Sequence, residues 1–305
     1  MSSTSAEQAA MRRAIVLSAL GLGTTSPNPP VGCVVLDRDN RAVGEGYHVR
    51  KGEAHAEVQA LRAAGERAQG GTAVVTLEPC SHHGRTPPCH QAIIDAGIRR
   101  VLVAWLHTTL RGEGGVARLR NAGVNVVTDV LSHEARLVLE PWLTALHQRR
   151  PFVTWAYAVP ADGLANGMPT AAEPPFGEAS VDARSLRTVH DAVLSEDGQL
   201  VEGCPGGHKP EVFSFARVNP RQEPEGLLGA LLAGGVRSLL LDGGLTLTSP
   251  FLASGLVDQA VAYIATGGSS STVPPATAAG LMADFVLRDV TRLGGVVRVR
   301  SGRMN

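Results

Sequence analysis

The stretch that decides both fold and site reads His55-Ala56-Glu57, followed by Glu78-Pro79-Cys80-Ser81-His82-His83-Gly84-Arg85-Thr86-Pro87-Pro88-Cys89. A neutral imidazole and two thiolates fill three of the four tetrahedral positions that zinc prefers, and a fourth position left to water is typical of a catalytic site. We therefore predict that His55, Cys80 and Cys89 hold Zn2+. Zinc lowers the pKa of a bound water to near neutrality. Glu57 is predicted to move protons as general base and acid.

This set of residues resembles the signature of zinc nucleobase deaminases, His-x-Glu with Pro-Cys-x-x-Cys, except that eight residues separate the two cysteines. Two thiolates cancel the charge of the metal, which suits attack on a neutral ring amidine with ammonia leaving. Two alternatives stay open. The residues could be unrelated capping and core residues, or the zinc could be purely structural with His82, His83 or His90 as a fourth ligand. A structural zinc would leave Glu57 without a role.

Composition limits the partners of the chain. Its 305 residues are enough for two domains. The 28 basic and 28 acidic residues give zero net charge, so no overall field attracts nucleic acid or an anionic membrane. Aromatic residues make up 4%, which argues against a surface that stacks single-stranded bases. We expect a small-molecule substrate, with neither nucleic acid nor membrane as a partner.

The number and placement of the cysteines indicate the cellular compartment of the protein. Four cysteines, two of them in the metal motif, do not make a disulfide framework, and zinc-binding thiolates favour a reducing compartment. The N-terminus shows no signal-peptide pattern and no apolar stretch reaches the length of a membrane span. We expect a cytoplasmic protein.

The hydrophobic pattern of the first half alternates helices and strands, which predicts an α/β layered domain. The first expected helix begins at a capping box at Thr4 and ends at Gly21. Further helices are expected over 54–68, 89–96 and 132–147, the last with a kink or break at Pro141. Strands are expected over 31–36, 72–77 and 100–106. His55 and Glu57 are placed in the first turn of the second helix. Cys80 follows a strand, and Cys89 begins a helix, where the macrodipole favours a thiolate.

A polar break at 148–151, before the apolar run 152–159, predicts a boundary between domains 1–148 and 149–305. In the second half, a strand-like run at 238–241 is followed by Asp242-Gly243-Gly244. Such a glycine pair can admit a phosphate or form a tight turn, and we favour the turn.

The first half resembles the deaminase domain of the bifunctional riboflavin-biosynthesis deaminase/reductases over roughly residues 8 to 150. The matching stretches are 26–33, 44–48, 52–58 and 75–89, and the long spacing between the cysteines is that family's variant of the motif. The resemblance implies a cytidine-deaminase-like, three-layer α/β/α fold. It implies hydrolytic removal of an amino group from a diaminopyrimidinone that carries a ribosylamino 5′-phosphate, with zinc on His55, Cys80 and Cys89 and with Glu57 as the proton shuttle. Substrate-binding residues by the same resemblance are Asn28, His48, His82 and Arg85.

Two of these four residues have a physical case of their own. Arg85 in a glycine-containing loop can pair with a phosphate, and Asn28 on a proline-rich loop can read a pyrimidine edge. A solvated arginine and a turn asparagine are the alternatives. Residues 107–115 depart from the family's pattern, so a related aminopyrimidine or a purine of a specialised pathway stays an alternative substrate.

The second half resembles the reductase domain of the same family in outline, at 150–154, 162–163, 190–194, 241–244, 255–258 and 263–265. The family's Gly-x-Gly-Thr loop is replaced here by Ser195-Glu196-Asp197-Gly198-Gln199, and two carboxylates repel a dinucleotide phosphate. We therefore predict a reduced dihydrofolate-reductase-like α/β domain without NADPH or reductase activity, retained for packing and for assembly of a homo-oligomer. The alternatives are a chain with both activities and a non-catalytic, zinc-stabilised scaffold.

Overall fold

The computed structural model describes residues 3–82, 87–107, 114–159, 167–169, 177–208, 210–213, 223–266 and 284–303. The chain divides into two compact units, Met1–Glu140 and Pro141–Asn305. This division falls inside a helix, eight residues before the boundary predicted from the polar break at 148–151. The assignment of separate functions to 1–148 and 149–305 stays a prediction.

The first unit alternates helices and strands along the chain. They are α1 (Ser5–Ala19), β1 (Gly32–Leu36), β2 (Ala42–Tyr47), α2 (Ala56–Ala64), β3 (Thr72–Leu77), α3 (Cys89–Asp95), β4 (Arg100–Trp105), α4 (Gly115–Asn121), β5 (Asn125–Val127) and α5 (Ser132–His147), which continues into the second unit. The strands form one sheet in the order β2-β1-β3-β4-β5. β1 is antiparallel to β2 and β3, whereas β3, β4 and β5 are mutually parallel.

Helices cover both faces of this sheet. Because successive side chains of a strand point to opposite faces, Cys33 and Val75 pack with apolar residues of α2, α3 and α4. Their neighbours Val34 and Val74 pack on the other face with Met11 and other residues of α1. The α/β/α layering predicted for the first half is confirmed.

The start of α1 agrees with its prediction and the end of α2 does not. Thr4 and Glu7 make the reciprocal capping box at the start of α1. α2 stops at Ala64 instead of 68, because Gly65 has a left-handed φ of 56° and a single 3-10 turn, Gly65–Ala68, follows. His55 is the N-cap of α2 with extended backbone, so its placement in the first turn was wrong, whereas Glu57 does lie there.

The strand β2 was not predicted, because glycines at every second position resemble a loop. The reason for those glycines is the close approach of α2. A Cβ on Gly44 would lie 2.1 Å from the carbonyl oxygen of Ala60, and a Cβ on Gly46 would lie 2.5 Å from that of Ala56. The two glycines therefore let α2 lie directly on β2.

α5 runs through Pro141 as one continuous helix, so the expected break does not occur. Proline removes the hydrogen bond to the carbonyl four residues earlier, which belongs to Leu137. Leu137 is 71% exposed, so water can satisfy that carbonyl on the solvent side of the helix. Leu139 and Leu143 on the buried side pack as the pattern predicts.

The second unit is a separate α/β layer structure. Its elements after α5 are β6 (Phe152–Val159), α6 (Gly177–Thr188), β7 (Ala192–Ser195), β8 (Leu200–Glu202), α7 (Pro224–Ala233), β9 (Ser238–Asp242), α8 (Leu245–Ala253), β10 (Gln259–Ala265), β11 (Phe285–Leu293) and β12 (Val296–Arg303). Its described strands form a mixed sheet in the order β11-β12-β10-β6-β9-β7-β8, with parallel pairing from β10 to β7. Apolar clusters lie on both faces, one with α7 and α8 and one with α6. Across the described ranges, every helix is too short or too polar to cross a bilayer.

Candidate zinc site

Three elements of the first unit bring the predicted ligands together. His55 precedes the first residue of α2, Cys89 is the first residue of α3, and Cys80 lies in the loop that follows β3. β1 lies between β2 and β3 and is antiparallel to both, so β2 and β3 run in the same direction, and the start of α2 after β2 meets the loop after β3 at one edge of the sheet. The site therefore lies where strands end and helices begin, as ligand sites in α/β sheets often do.

The distances within this cluster suit a tetrahedral zinc ion. His55 Nδ1 lies 3.2 Å from Cys89 Sγ and 3.7 Å from Cys80 Sγ. All three ligand atoms lie within 4.8 Å of one another. In a tetrahedron with ordinary zinc bond lengths a nitrogen and a sulfur ligand are ~3.6 Å apart. Among the described residues this is the single group of His, Cys, Asp and Glu side chains with metal-binding geometry.

The alternative of a closed, structural zinc site depended on a further histidine. His90 is buried, but its Nδ1 lies 3.1 Å from the carbonyl oxygen of Cys80 and the residue is outside the cluster. His82 is exposed and is also outside the cluster, and His83 lies outside the described residues. The described residues thus offer three ligand atoms, and three protein ligands are the number typical of a catalytic zinc site.

The thiols and the imidazole interact strongly with one another. Hydrogen bonds from Cys89 and His55 lower the pKa of the Cys80 thiol, and the backbone N–H of Cys89 donates to Cys80 Sγ over 3.3 Å. Conversely, the interaction with Cys80 and burial raise the pKa of Cys89. The same contact with Cys80 raises the pKa of His55. A proton shared among such groups is what a bound metal ion displaces.

Glu57 is buried beside this cluster without belonging to it. Its exposed fraction is 4%, and burial raises the pKa of its carboxyl to about 7, with the charge of Cys80 adding to the shift and that of His55 opposing it. The Cys89 thiol is a hydrogen-bonding neighbour of the carboxyl. A carboxyl with a pKa near 7 can both accept and return a proton at neutral pH, which is the requirement for a general acid and base.

Two of the four predicted substrate residues lie next to the cluster. His48 is buried, and its ring meets that of His55 edge to face at 5.3 Å between centroids. Asn28 Nδ2 is 3.4 Å from His48 Nε2, and His48 Nδ1 is 3.4 Å from the carbonyl oxygen of Ala54. Burial lowers the pKa of His48, so its ring favours the neutral form. Arg85, the predicted phosphate partner, lies outside the described residues.

Sequence reasoning missed Glu78, which connects the site to a second loop. Its buried carboxylate accepts the backbone N–H of His107 at 3.0 Å through Oε2 and that of Val116 at 2.9 Å through Oε1. A Cβ on Gly115 would lie 1.8 Å from the carbonyl oxygen of Pro79, so the chain needs glycine there. Both ends of the segment 107–116 are therefore attached to the two residues before Cys80.

The Gly243-Gly244 turn of the second unit uses its backbone groups within the chain. Gly244 N–H donates to Glu196 Oε2 over 2.7 Å, and Trp155 Nε1 donates to the carbonyl oxygen of Gly243 over 2.9 Å. Asp242 accepts the backbone N–H of Met168 and pairs with the guanidinium of Arg187. Gly244 is the N-cap of α8, and the choice between a tight turn and a phosphate site stays a prediction.

Comparison with known proteins gives matches to both halves. The family described as "Cytidine and deoxycytidylate deaminase zinc-binding region" matches residues 4–105. Riboflavin biosynthesis protein RibD of Escherichia coli (strain K12) is 41% identical over 199 residues, which are 64% of this chain and 53% of that protein, so the match spans about half of that relative. RibD of Corynebacterium ammoniagenes is 35% identical over 270 residues, which are 79% of this chain and 80% of that protein.

A solved structure resembles nearly the whole chain. It is the diaminohydroxyphosphoribosylaminopyrimidine deaminase/5-amino-6-(5-phosphoribosylamino)uracil reductase of Thermotoga maritima, with a TM-score of 0.79 and 28% identity. The superposition covers 98% of this chain and 99% of that one. The zinc-binding region and the two-part α/β architecture are thus shared with these relatives.

Proposed function

This chain belongs to the riboflavin biosynthesis protein RibD family, and we propose accordingly that its first unit is a zinc-dependent pyrimidine deaminase. The proposed reaction is hydrolytic removal of an amino group from a diaminopyrimidinone that carries a ribosylamino 5′-phosphate, a step of riboflavin biosynthesis. The observation that carries the proposal is the cluster of His55, Cys80 and Cys89 with the buried carboxyl of Glu57 beside it.

His55, Cys80 and Cys89 hold the metal in this proposal, and Glu57 carries the proton. Zinc bound there would supply a water whose pKa is lowered toward neutrality. Glu57 accepts a proton from the attacking water and passes it to the adjacent ring nitrogen, while the water oxygen forms a bond to the amino-bearing ring carbon. Glu57 then takes the remaining hydroxyl proton and donates it to the departing amino nitrogen, the carbon–nitrogen bond breaks, and ammonia leaves while the ring carbon becomes a carbonyl.

Asn28 and His48 form the polar wall next to the metal ligands in this proposal, and His82 and Arg85 complete the substrate site. The neutral ring of His48 and the amide of Asn28 can exchange hydrogen bonds with the polar edge of a pyrimidine. Arg85 would pair with the 5′-phosphate. Substitution of Arg85 should therefore raise KM for the phosphorylated substrate far more than it lowers kcat, because the phosphate is remote from the reacting carbon.

The test is direct. Purified protein with stoichiometric zinc is incubated with the diaminopyrimidinone ribosylamino phosphate, and ammonia release is followed with time. Glu57→Gln is the matched control, since it keeps the size of the side chain and removes its proton exchange. Absence of release from the wild-type protein, or equal release from the two proteins, contradicts the proposal. A panel of related aminopyrimidines and aminopurines in the same assay decides whether the departure at 107–115 changes the substrate.

We also propose that the second unit has lost reductase chemistry and binds no NADPH. Glu196 supports this, because its carboxylate accepts the Gly244 N–H at the start of α8, where a helix N-terminus would otherwise attract a phosphate. The neighbouring Asp197 adds a second negative charge on the exposed side of this loop. The second candidate, a chain with both activities, is favoured by the Thermotoga maritima structure, which is described as a deaminase and a reductase. Titration with NADPH separates the two, since binding near micromolar with oxidation coupled to substrate contradicts the loss.

Two further predictions concern the setting of the enzyme. Because zinc-binding thiols favour a reducing compartment, and all four cysteines are free thiols in the structure, we propose that the protein is cytoplasmic. We expect a homo-oligomer assembled with help from the second unit. Light scattering coupled to size-exclusion chromatography measures this, and a monomeric mass at micromolar concentration contradicts it.

A further inference from the structure

The long spacing between the two cysteines creates a positional problem for the metal site. In the short motif, two residues separate the cysteines, so a single turn of backbone relates them. Here only Cys89 lies in α3, and Cys80 lies in the preceding loop with eight residues between them. Cys80 therefore needs contacts other than helix geometry to keep its sulfur at the metal position.

The first two residues of α3 provide such contacts. The backbone N–H of Cys89 donates to Cys80 Sγ over 3.3 Å. The carbonyl oxygen of Cys80 faces His90, whose Nδ1 lies at 3.1 Å and whose backbone N–H lies at 3.4 Å. A carbonyl oxygen only accepts, so Nδ1 of His90 carries the hydrogen. The backbone and the sulfur of Cys80 are thus both held by the start of α3.

The position of His90 explains why its side chain is not a ligand. The residue is 6% exposed, and its ring turns to the Cys80 carbonyl instead of joining the cluster of His55, Cys80 and Cys89. Among the residues that the structure describes, loss of the side chain would leave that carbonyl with the longer backbone contact. A carbonyl that loses its donor loses part of the free energy that holds it in place, so we expect the half-buried Cys80 and its sulfur to be less well fixed.

We propose that His90 is a positioning residue of the metal site, which fixes Cys80 for metal binding through the hydrogen bond from its Nδ1–H to the Cys80 carbonyl. This inference rests on the proposed function, in that the cluster holds zinc. Outer partners of metal ligands typically change metal affinity by about 10–100-fold when they are lost. The effect on zinc affinity depends on this hydrogen bond and not on charge. An uncharged side chain that places a donor where Nδ1 lies should therefore substitute for His90.

The experiment measures zinc affinity by competition with a chromogenic chelator, and cobalt substitution measures thiolate ligation by its charge-transfer absorbance. His90→Ala should weaken zinc binding about 10–100-fold and reduce the cobalt–thiolate band. His90→Asn, whose amide N–H lies near the position of Nδ1–H, should restore most of both. His90→Gln, whose amide lies farther out, should behave like the alanine variant.

A matched control is available in the second unit. His190 is also 6% exposed and its Nδ1 also bonds a backbone carbonyl, that of Leu186 at 2.7 Å. His190→Ala should leave zinc affinity unchanged.

The inference is overturned if His90→Ala binds zinc as tightly as the wild type, or if His90→Asn binds it as weakly as His90→Ala. If His90→Ala does not fold, the comparison of the asparagine and glutamine variants decides. A wild-type protein that binds no zinc would instead overturn the proposed function itself.

Discussion

Gly46 of β2 gives a quantitative test of how the sheet positions the active site. An alanine Cβ there would lie 2.5 Å from the Ala56 carbonyl oxygen and 2.6 Å from the Ala60 nitrogen, against an ordinary contact of 3.4 Å. The obstacles are backbone atoms of α2, so a side-chain rotation cannot relieve the contact. Gly46 has no left-handed φ, so the expected effect comes from the steric contact and not from backbone strain.

We expect Gly46→Ala to move the start of α2 by roughly 0.9 Å or to bend β2 by as much, at a cost of about 1–3 kcal/mol in the free energy of unfolding. The start of α2 carries His55 and Glu57. A displacement of that size at reacting groups costs about 100-fold in rate. Activity should therefore fall much more than the fraction of folded protein.

The assay combines urea unfolding, zinc content and ammonia release for the same preparations. Gly229→Ala is the control with the opposite sign. Gly229 is exposed in α7, and an alanine Cβ there would have no other atom within 4 Å, so alanine should stabilise the protein by about 0.5–1 kcal/mol and leave activity unchanged. A Gly46→Ala protein with wild-type stability and wild-type turnover would refute the reasoning that α2 rests on β2 without space for a methyl group.

Four other outcomes are expected. Glu57→Gln should lower deamination about 100–10,000-fold with zinc content unchanged, because proton transfer and not metal binding is lost; a variant that keeps most of its turnover contradicts the role. Removal of zinc by a chelator should lower the urea midpoint, since zinc binds the folded state only, and an unchanged midpoint argues against a site that is coupled to folding. Burial lowers the pKa of His190 in the folded protein below the ordinary value of 6.5, so its contribution to the free energy of unfolding is fully present above pH 6.5 and is lost as the pH falls from 6.5 toward the folded pKa. His190→Asn should remove this part of the pH dependence, which urea unfolding between pH 7.5 and pH 5 measures. An unchanged pH dependence in the variant contradicts this prediction. Asp258 accepts two hydrogen bonds from Arg150 and one from the Val153 N–H. Asp258→Ala should therefore lower the free energy of unfolding by about 3–5 kcal/mol, because it leaves the Arg150 charge without its partner. A smaller loss would show that water replaces the carboxylate.

The cluster that we propose as the metal site could be predicted from the sequence because its chemistry is local to its residue types. An imidazole, two thiols and a spare carboxylate indicate zinc before any fold is known, and the contact distances of His55, Cys80 and Cys89 bear out their proximity. Three strands of the first unit, β1, β3 and β4, could be predicted as well, because buried strands such as β3 are continuous apolar runs. The strands β2 and β5 and the helix α4 were not predicted. The capping box at Thr4 was equally local.

What the sequence could not show depends on partners far along the chain. Gly44 and Gly46 resemble loop glycines until α2 is placed on them. Glu78 accepts from residues 29 and 38 positions away, and no local pattern signals that a glutamate before Pro79 will be buried. His90 looks like a fourth ligand by its position next to Cys89, and only the direction of its ring distinguishes the two roles.

The attachment of both ends of 107–116 to Glu78 has a consequence for how this enzyme family can diversify. Because His107 and Val116 are held by one carboxylate, we expect that residues 108–113 can be exchanged, shortened or lengthened while these two anchor points stay beside the proposed metal ligands. Gly115 must be kept, since a Cβ there would meet the Pro79 carbonyl oxygen. The variable segment is therefore 108–113. Libraries restricted to it should yield altered substrate preference with zinc content intact, whereas the same libraries in a Glu78→Ala background should lose metal and fold together.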